Sequence, residues 1–428
     1  MQSYILKLRK YTKSPINLAI LFHFCNFGLF YTVLLVYGYI DSLPNNQNLG
    51  NWDAEWYARI KDFGYFYKEG ANNTMAFFPL FPFLWDLIGL GNIGISLLNL
   101  LLFYISFYFL ANHLKLDFKS SLLFLSTPSL FFCFVPYSEA IFFLGTSMIL
   151  IGLDKDKPII IIMGILIAAS TRSIAPILSV PIIFAAIFQW KRGWRPIIYS
   201  VFYCSLLFFV TLLVFYVQYL YTGKWWVFFE VQKSWNRDFR IPVLPFTTLS
   251  ETRMLWLDGL ALIVAEMAFI VCAVNIYKFF KSTPKYVQQT SYLFASVYLS
   301  MVGIVGVFYS GQLTSGQGTS LYSLNRFIFC SPFYLMFLSG ILRNQYGWTH
   351  AGIYCSVIII TWCMIGCFGS KLQLSLTDQV LYFGNLTIYV AAYLFLMRYN
   401  LIYYFLCSIN LLLQVFLFNQ FIHGQWVG

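Results

Sequence analysis

Charge is what this sequence has least of. Of its 428 residues only 10% are charged, while 60% are hydrophobic and 21% aromatic. A soluble domain carries about 25% charged residues, so the length does not stand for two or three soluble domains. Histidine is scarcer still. His23, His113, His350 and His423 are scattered without ligand spacing, which excludes a histidine zinc site of the usual pattern. There is no Gly-rich phosphate loop, nucleophile triad, basic-aromatic nucleic-acid motif, fixed-period repeat or low-complexity tail. The nine cysteines lie in or beside apolar runs. Cys363 and Cys367 are predicted to share one helix face, with nothing nearby to complete a metal site. Such cysteines are packing residues and do not report the redox compartment. A cleavable leader is not evident either. Residues 1–14 carry Lys7, Arg9, Lys10 and Lys13, but the apolar run that follows is longer than a signal-peptide core and has no small-residue cleavage site. Residues 17–40 are therefore expected to form a retained first helix.

What is present is a succession of apolar runs, many near the roughly 20 residues needed to cross a bilayer. They are too long for barrel strands and lack sustained two-residue alternation. The reading is a single all-α polytopic membrane domain over residues 1–428. Spans are predicted near 17–40, 93–112, 120–135, 139–153, 158–174, 175–190, 196–220, 255–277, 288–309, 326–342, 351–369, 378–396 and 400–418. The formal charge of +11 is read as topology and contact with lipid headgroups rather than nucleic-acid binding. With the N-terminus in the cytoplasm, the inner loops carry Lys115, Lys119, Lys155, Lys157, Lys191, Arg192, Arg195, Lys278, Lys281, Lys285, Arg343 and Arg398. Two long polar segments, 41–92 and 221–254, then fall outside. A soluble or lipid-headgroup substrate would be handled there. Asn72-Asn73-Thr74 and Asn385-Leu386-Thr387 match the glycosylation pattern, which alone is a chance-level signal.

The first outer segment contains Asn51-Trp52-Asp53-Ala54-Glu55-Trp56-Tyr57-Ala58-Arg59. On a helix Trp52, Trp56 and Arg59 share one face, while Asp53 and Tyr57 share another. Aromatics suit the membrane interface, but two acids close to lipid are less expected. Two readings fit this local pattern. One is an interfacial amphipathic helix with solvated acids. The other is a carboxylate whose pKa is raised by desolvation, as suits a general base. Downstream, Pro79 and Pro82 cannot both sit in a helix interior, so the chain makes a rigid re-entry and residues 83–92 are expected to lie as a short interfacial helix.

The ordered set Trp52-Asp53, Tyr57, Gly64-Tyr65, Glu69 and Ala76-Phe77-Phe78-Pro79-Leu80-Phe81-Pro82 resembles the PIG-V family. These are mannosyltransferases of GPI-anchor synthesis, together with related prokaryotic membrane glycosyltransferases. Further along, Pro136-Tyr137-Ser138-Glu139 resembles the family's Tyr-Ser-Glu element. Thr171-Arg172-Ser173 resembles its Arg-Ser element, although Ile174-Ala175 follow where the family often has Asn-Gly. Gln232, Trp235 and Arg237 resemble a Gln-x-x-Trp-x-Arg element of the prokaryotic branch, and Arg326 with Pro332 resembles a late Arg-aromatic motif. The resemblance runs from about residue 50 to 335 and weakens in the last three helices.

The resemblance implies a GT-C glycosyltransferase: a bundle of about 11–13 transmembrane helices with a helical first outer loop. It implies transfer, usually with inversion, from a polyprenyl-phosphate sugar to a glycolipid or glycan acceptor on the outer face. The donor expected is dolichyl or undecaprenyl phosphate mannose. The membrane would be the endoplasmic reticulum in a eukaryote and the cytoplasmic membrane in a prokaryote. The acceptor hydroxyl must lose a proton, so Asp53 is the first choice of base and Glu55 the second. Arg172, Arg237 and Arg326 are assigned to the donor phosphate, which suits the forked guanidinium. Trp52, Tyr57, Glu69, Tyr137, Ser138, Glu139, Gln232 and Trp235 are the expected substrate-binding residues. Trp225, Trp226 and Trp235 either stack on sugar or anchor their loop in the interface. Arg172 lies in apolar sequence and should face a cavity or an acid, because burying it alone is costly. Glu266, deep in its predicted helix, is read as part of an internal structural pair, and His23 as a satisfied packing residue. No cofactor is expected, and a divalent metal bridging Asp53 or Glu55 to phosphate has no support in the sequence. The competing readings are a glycolipid transporter, which calls for repeats and broken mid-membrane helices, and a non-catalytic partner subunit. An accessory subunit for the enzyme is left open.

Overall fold

The computed structural model describes residues 14–189, 193–235, 237–247, 255–281, 290–312, 318–321, 323–343, 347–365, 367–368, 372–373, 376–396 and 399–427. The expected inner-loop cations Lys191, Arg192, Lys285 and Arg398, the N-terminal cations, and parts of segment 221–254 lie outside these residues.

The chain is membrane-embedded and helical. Among the described residues, six helices are long and apolar enough to cross a membrane: Pro15–Val36, Asn92–His113, Arg195–Thr222, Leu257–Phe280, Thr290–Phe308 and Asn400–Ile422. A helix satisfies its own backbone, which a bilayer interior cannot do. At 1.5 Å per residue, the 22 residues of Asn92–His113 reach about 33 Å, the thickness of the hydrocarbon core. Shorter apolar helices pack between the spans, among them Pro158–Thr171, Pro332–Arg343 and Thr349–Met364.

Several expected spans are broken rather than continuous. Where 120–135 was expected to cross, the chain forms a helix Phe118–Leu125 and then a 3-10 turn Pro128–Cys133. Pro128 lacks an N–H and restricts Thr127 before it, so the helix stops. The expected span 175–190 is likewise a 3-10 turn Ala175–Leu178 joined to a helix Ser179–Gln189, with Pro176 and Pro181 inside it. The expected span 326–342 divides into Leu324–Phe329 and Pro332–Arg343. Residues 378–396 end in a π turn, Ala392–Leu396. Cys363 and Cys367 do not share a helix, because the helix ends at Met364 and Cys367 begins a short strand. The short interfacial helix starts earlier than expected, at Leu80–Ile88, with Pro79 as its cap and Pro82 in its first turn.

The break at residues 126–138 exposes backbone carbonyls inside the protein, and two side-chain amides occupy them. Gln414 Nε2 donates to Leu125 O at 3.2 Å and to Thr127 O at 3.0 Å. Asn99 Nδ2 donates to Val135 O at 2.7 Å and Tyr137 O at 2.9 Å. His23 packs as expected, its ring nitrogens 2.8 Å from Gln414 Oε1 and 2.8 Å from Tyr104 Oη. Irregular backbone is tolerated at membrane depth only when it is paired in this way.

The helices Glu139–Lys155 and Pro158–Thr171 form a tight hairpin. A Cβ at Gly164 would lie 2.5 Å from Gly145 O, so the two backbones touch where no side chain intervenes. The hairpin brings the start of the first helix, Glu139, beside the end of the second, Arg172.

Two ends of the bundle differ in chemistry. The expected inner-loop residues meet at one of them. His113 Nε2 lies 3.0 Å from Asp154 Oδ2, Arg343 Nη2 donates to Leu114 O at 2.6 Å, and Gln189 Nε2 donates to Thr290 Oγ1 at 3.2 Å. The described residues of segments 41–92 and 221–254 belong to the other. There residues within 237–247 and 309–320 also build a small sheet that the all-helical reading did not foresee. Arg237–Phe239 pairs antiparallel with Tyr309–Gln312, which pairs antiparallel with Thr319–Ser320, and that strand runs parallel to Phe246–Thr247. Glu266 takes a 2.8 Å hydrogen bond from Thr361 Oγ1. The partner in this internal pair is a hydroxyl.

Candidate active site

The end opposite the cation-rich connections carries an open cleft with a volume of about 80 Å³. Asp53, Tyr57, Arg172, Gln232, Trp235, Arg237 and Arg326 line it. These seven come from four separate stretches of sequence.

Asp53 opens the helix Asp53–Phe63, and Tyr57 follows one turn later. Arg172 caps the helix Pro158–Thr171. Gln232 sits on the helix Val227–Ser234, and Arg237 begins the first strand of the small sheet. Arg326 lies in the short helix Leu324–Phe329, entered through Ser323, whose φ of 58° is left-handed. The break in the expected span 326–342 is what leaves Arg326 at the cleft rather than inside a long helix.

Four charged groups form one buried network. Arg326 Nη1 lies 2.6 Å from Asp53 Oδ2. The Arg326 Nε donates to Glu139 Oε1, and Arg172 Nη1 reaches the same Glu139 oxygen at 2.5 Å. The Glu139 side chain is 2% exposed and Arg326 5%, whereas Asp53 keeps 18% of its surface open. Ions buried this deeply hold only when paired, and here each has a partner of opposite sign. Aromatic rings surround the guanidiniums. Arg326 lies over Tyr137 at 4.5 Å and Phe132 at 5.2 Å, and Arg172 over Phe327 at 5.1 Å. The expected requirement that Arg172 face an acid or a cavity is met by both.

The Tyr-Ser-Glu stretch forms the floor. Tyr57 Oη donates to Ser138 Oγ at 2.8 Å, and the Asp53 backbone N–H donates to Tyr137 Oη at 3.3 Å. Burial pushes both phenols above their ordinary range, so each stays protonated and keeps its donor. Among the described residues, Glu139 Oε2 and Trp235 Nε1 are buried without a hydrogen-bond partner. The Trp235 N–H belongs to a residue that lines the cleft, so it is a donor in waiting there. Trp235 packs edge-on to Trp56 at 5.4 Å and Phe77 at 6.0 Å, giving the cleft an aromatic wall.

The arrangement therefore offers a carboxylate open to the cleft, three guanidiniums from Arg172, Arg237 and Arg326, and an aromatic wall. It can hold an anion, pack an amphipathic ring and take a proton. Other expected residues lie elsewhere. Glu55 is exposed and does not line the cleft. Glu69 is exposed near Lys224, whose ammonium is held charged by the hydrogen bonds it donates to Tyr67 and Glu230. Trp225 and Trp226 are 45% and 63% exposed, the disposition of anchors rather than of a sugar platform. Trp52 does not line the cleft, but its ring meets Trp426, which does. Trp426, Thr171, Ser323 and Phe327 also line it without having been expected. Ser323 and Phe327 flank Arg326 within one turn, and Thr171 precedes Arg172, so proximity to the motif arginines was a usable signal. Trp426 carried none. No protein-family model, curated protein or solved structure matches this chain.

Proposed function

We propose that the protein is a membrane glycosyltransferase that moves a sugar, with mannose the leading choice, from a polyprenyl-phosphate donor to a hydroxyl of a glycolipid or glycan on the outer face. The observation that carries this reading is the meeting of Asp53 with Arg172, Arg237 and Arg326 in one cleft. The chemistry needs a proton acceptor beside an anion site, and this cleft has both. The resemblance of the same residues to the PIG-V motifs points the same way.

In the proposed reaction the acceptor hydroxyl attacks the anomeric carbon and its proton passes to the Asp53 carboxylate. The bond from the anomeric carbon to the phosphate oxygen breaks, and its electron pair stays on the polyprenyl phosphate. Arg172, Arg237 and Arg326 meet the charge that develops there. Trp235 and Gln232 contact the substrate, while Tyr57, Tyr137, Ser138 and Glu139 fix the base and the arginines in place. The side of the membrane rests on the cation-rich connections, which are read as cytoplasmic.

A transporter is favoured by one observation, the broken helices at 118–133 and 324–343. Against it, the charged network gathers at one end of the bundle rather than at its middle. The deciding experiment uses purified protein in lipid, radiolabelled polyprenyl-phosphate mannose and an acceptor lipid extract. Label entering a new product supports the enzyme. Intact donor that crosses the bilayer without transfer replaces it with the transporter.

A further inference from the structure

The segment after the last span folds back onto the site. Gly424, at φ 71°, turns the chain at the helix end. Val427 is then buried and Trp426 lines the cleft. Side chains from the first outer segment hold this segment down. Asn51 Nδ2 donates to Phe421 O at 2.8 Å, and His423 Nε2 lies 2.7 Å from Asp41 Oδ1. Trp426 meets Trp52 edge-to-face, with ring centroids 5.0 Å apart at 73°.

Trp52 is held in a costly backbone conformation, φ 59° and ψ −121°. A bulky residue with positive φ is an outlier that persists only when its surroundings fix it. Here both neighbours are fixed: Asn51 by its amide, and Asp53 by Tyr137 and Arg326. The result is a tryptophan pair directly beside the carboxylate, at the rim of the cleft. Trp52 remains 39% exposed, so the pair is not simply core. Tryptophan offers a large rigid amphipathic surface at low entropic cost, the surface that packs on the C–H face of a pyranose.

We infer that Trp426 and Trp52 form the acceptor-saccharide subsite, so that residues 423–427 belong to the substrate-binding site. This rests on the proposed reaction, in which whatever adjoins Asp53 on the carboxylate's own side receives the acceptor while the guanidiniums receive the phosphate.

The test measures binding apart from turnover. Protein in nanodiscs is titrated with octyl α-mannoside, followed by intrinsic tryptophan fluorescence, for wild type, Trp426→Ala, Trp426→Phe and Asp53→Asn. Wild type and Asp53→Asn should bind saturably. Trp426→Ala should bind roughly tenfold more weakly or worse, and Trp426→Phe should recover most of the loss. In the transfer assay Trp426→Ala should raise the acceptor KM and leave the donor KM unchanged. No saturable binding by wild type, or equal binding by Trp426→Ala, overturns the inference even if transfer is normal. Loss of donor and acceptor use together, with a lowered unfolding temperature that Trp426→Phe restores, also overturns it by making the segment structural. Failure of wild type to transfer from any donor, with mannoside binding intact and Trp426-dependent, instead sinks the glycosyltransferase reading and leaves a saccharide site.

Discussion

Arg326 Nη1 and Asp53 Oδ2 lie 2.6 Å apart, so the residue proposed as base and an arginine proposed for the donor phosphate are bound to each other. In the proposed reaction the phosphate is a second anion competing for the same guanidinium, and its binding would loosen Asp53 from Arg326 when a base is needed.

Replacing Asp53 by Asn should therefore abolish transfer. The expected loss is about 10²–10⁴-fold in kcat, the range for a positioned general base. Glu55→Gln should stay near wild type, because Glu55 is exposed and off the cleft. The radiolabel assay reads both. Full activity in Asp53→Asn with loss in Glu55→Gln would exchange their roles.

Arg172→Ala should weaken use of the donor more than use of the acceptor. One charge-assisted hydrogen bond lost is about 1.5–3 kcal/mol, or roughly 10–100-fold in donor KM. Steady-state kinetics with each substrate varied in turn make the comparison. An effect confined to the acceptor would remove Arg172 from the phosphate site.

Glu139 accepts from both arginines and is buried. Glu139→Ala leaves two buried guanidiniums short of a partner, which should cost about 3–5 kcal/mol of stability. Glu139→Gln keeps the shape and one acceptor and should lose less. Unfolding in detergent measures the difference; equal stability of all three proteins would mean that water reaches this floor.

The link between Asp41 and His423 should make the segment 423–427 sensitive to pH. The Nδ1 hydrogen bond to Asn419 O, and then Asp41, hold the His423 pKa above its ordinary 6.5. The hydrogen bond from His423 holds Asp41 below its ordinary 3.8. A raised histidine contributes fully below 6.5 and loses that contribution as pH rises through its folded pKa. A depressed aspartate contributes above 3.8 and loses it as pH falls through its own. The link therefore holds between these limits and slackens on the alkaline side. Amide exchange of residues 424–427 should quicken as pH rises past neutrality, beyond the ordinary increase in intrinsic rate, and His423→Gln should abolish that extra dependence.

A cysteine placed at residue 56 should react with an impermeant reagent from the face opposite the cation-rich connections. Labelling from the cytoplasmic side would invert the orientation, and the proposed mechanism would fail with it.

Much of the candidate site was legible because its residues fall in four short stretches, two of which, around Asp53 and Gln232, are polar and aromatic sequence that does not continue a span. Asp53 and Tyr57 were separable from Glu55 only in part, since helical spacing places the first two together but does not say which face meets the bundle. The broken segments were harder. Hydropathy sees the run through Pro128 as continuous, whereas the backbone cannot carry a helix past a missing N–H. Glu139 as a shared acceptor was invisible, because Arg172 and Arg326 reach it from distant parts of the chain. The small sheet was missed for a different reason: its strands are two to four residues long, too short for any periodicity to register. Trp426 stands far beyond the motifs and joins the cleft only through a glycine turn.

Gln414 lies in the last span, yet it completes the hydrogen bonding of a break near residue 126. A ribosome must therefore make most of the chain before that break can close. Until then, the carbonyls of Leu125 and Thr127 lack this donor. Closure of this break is thus a late event in biosynthesis, and a nascent chain stalled before residue 414 would present quality-control machinery with two buried carbonyls that lack this donor.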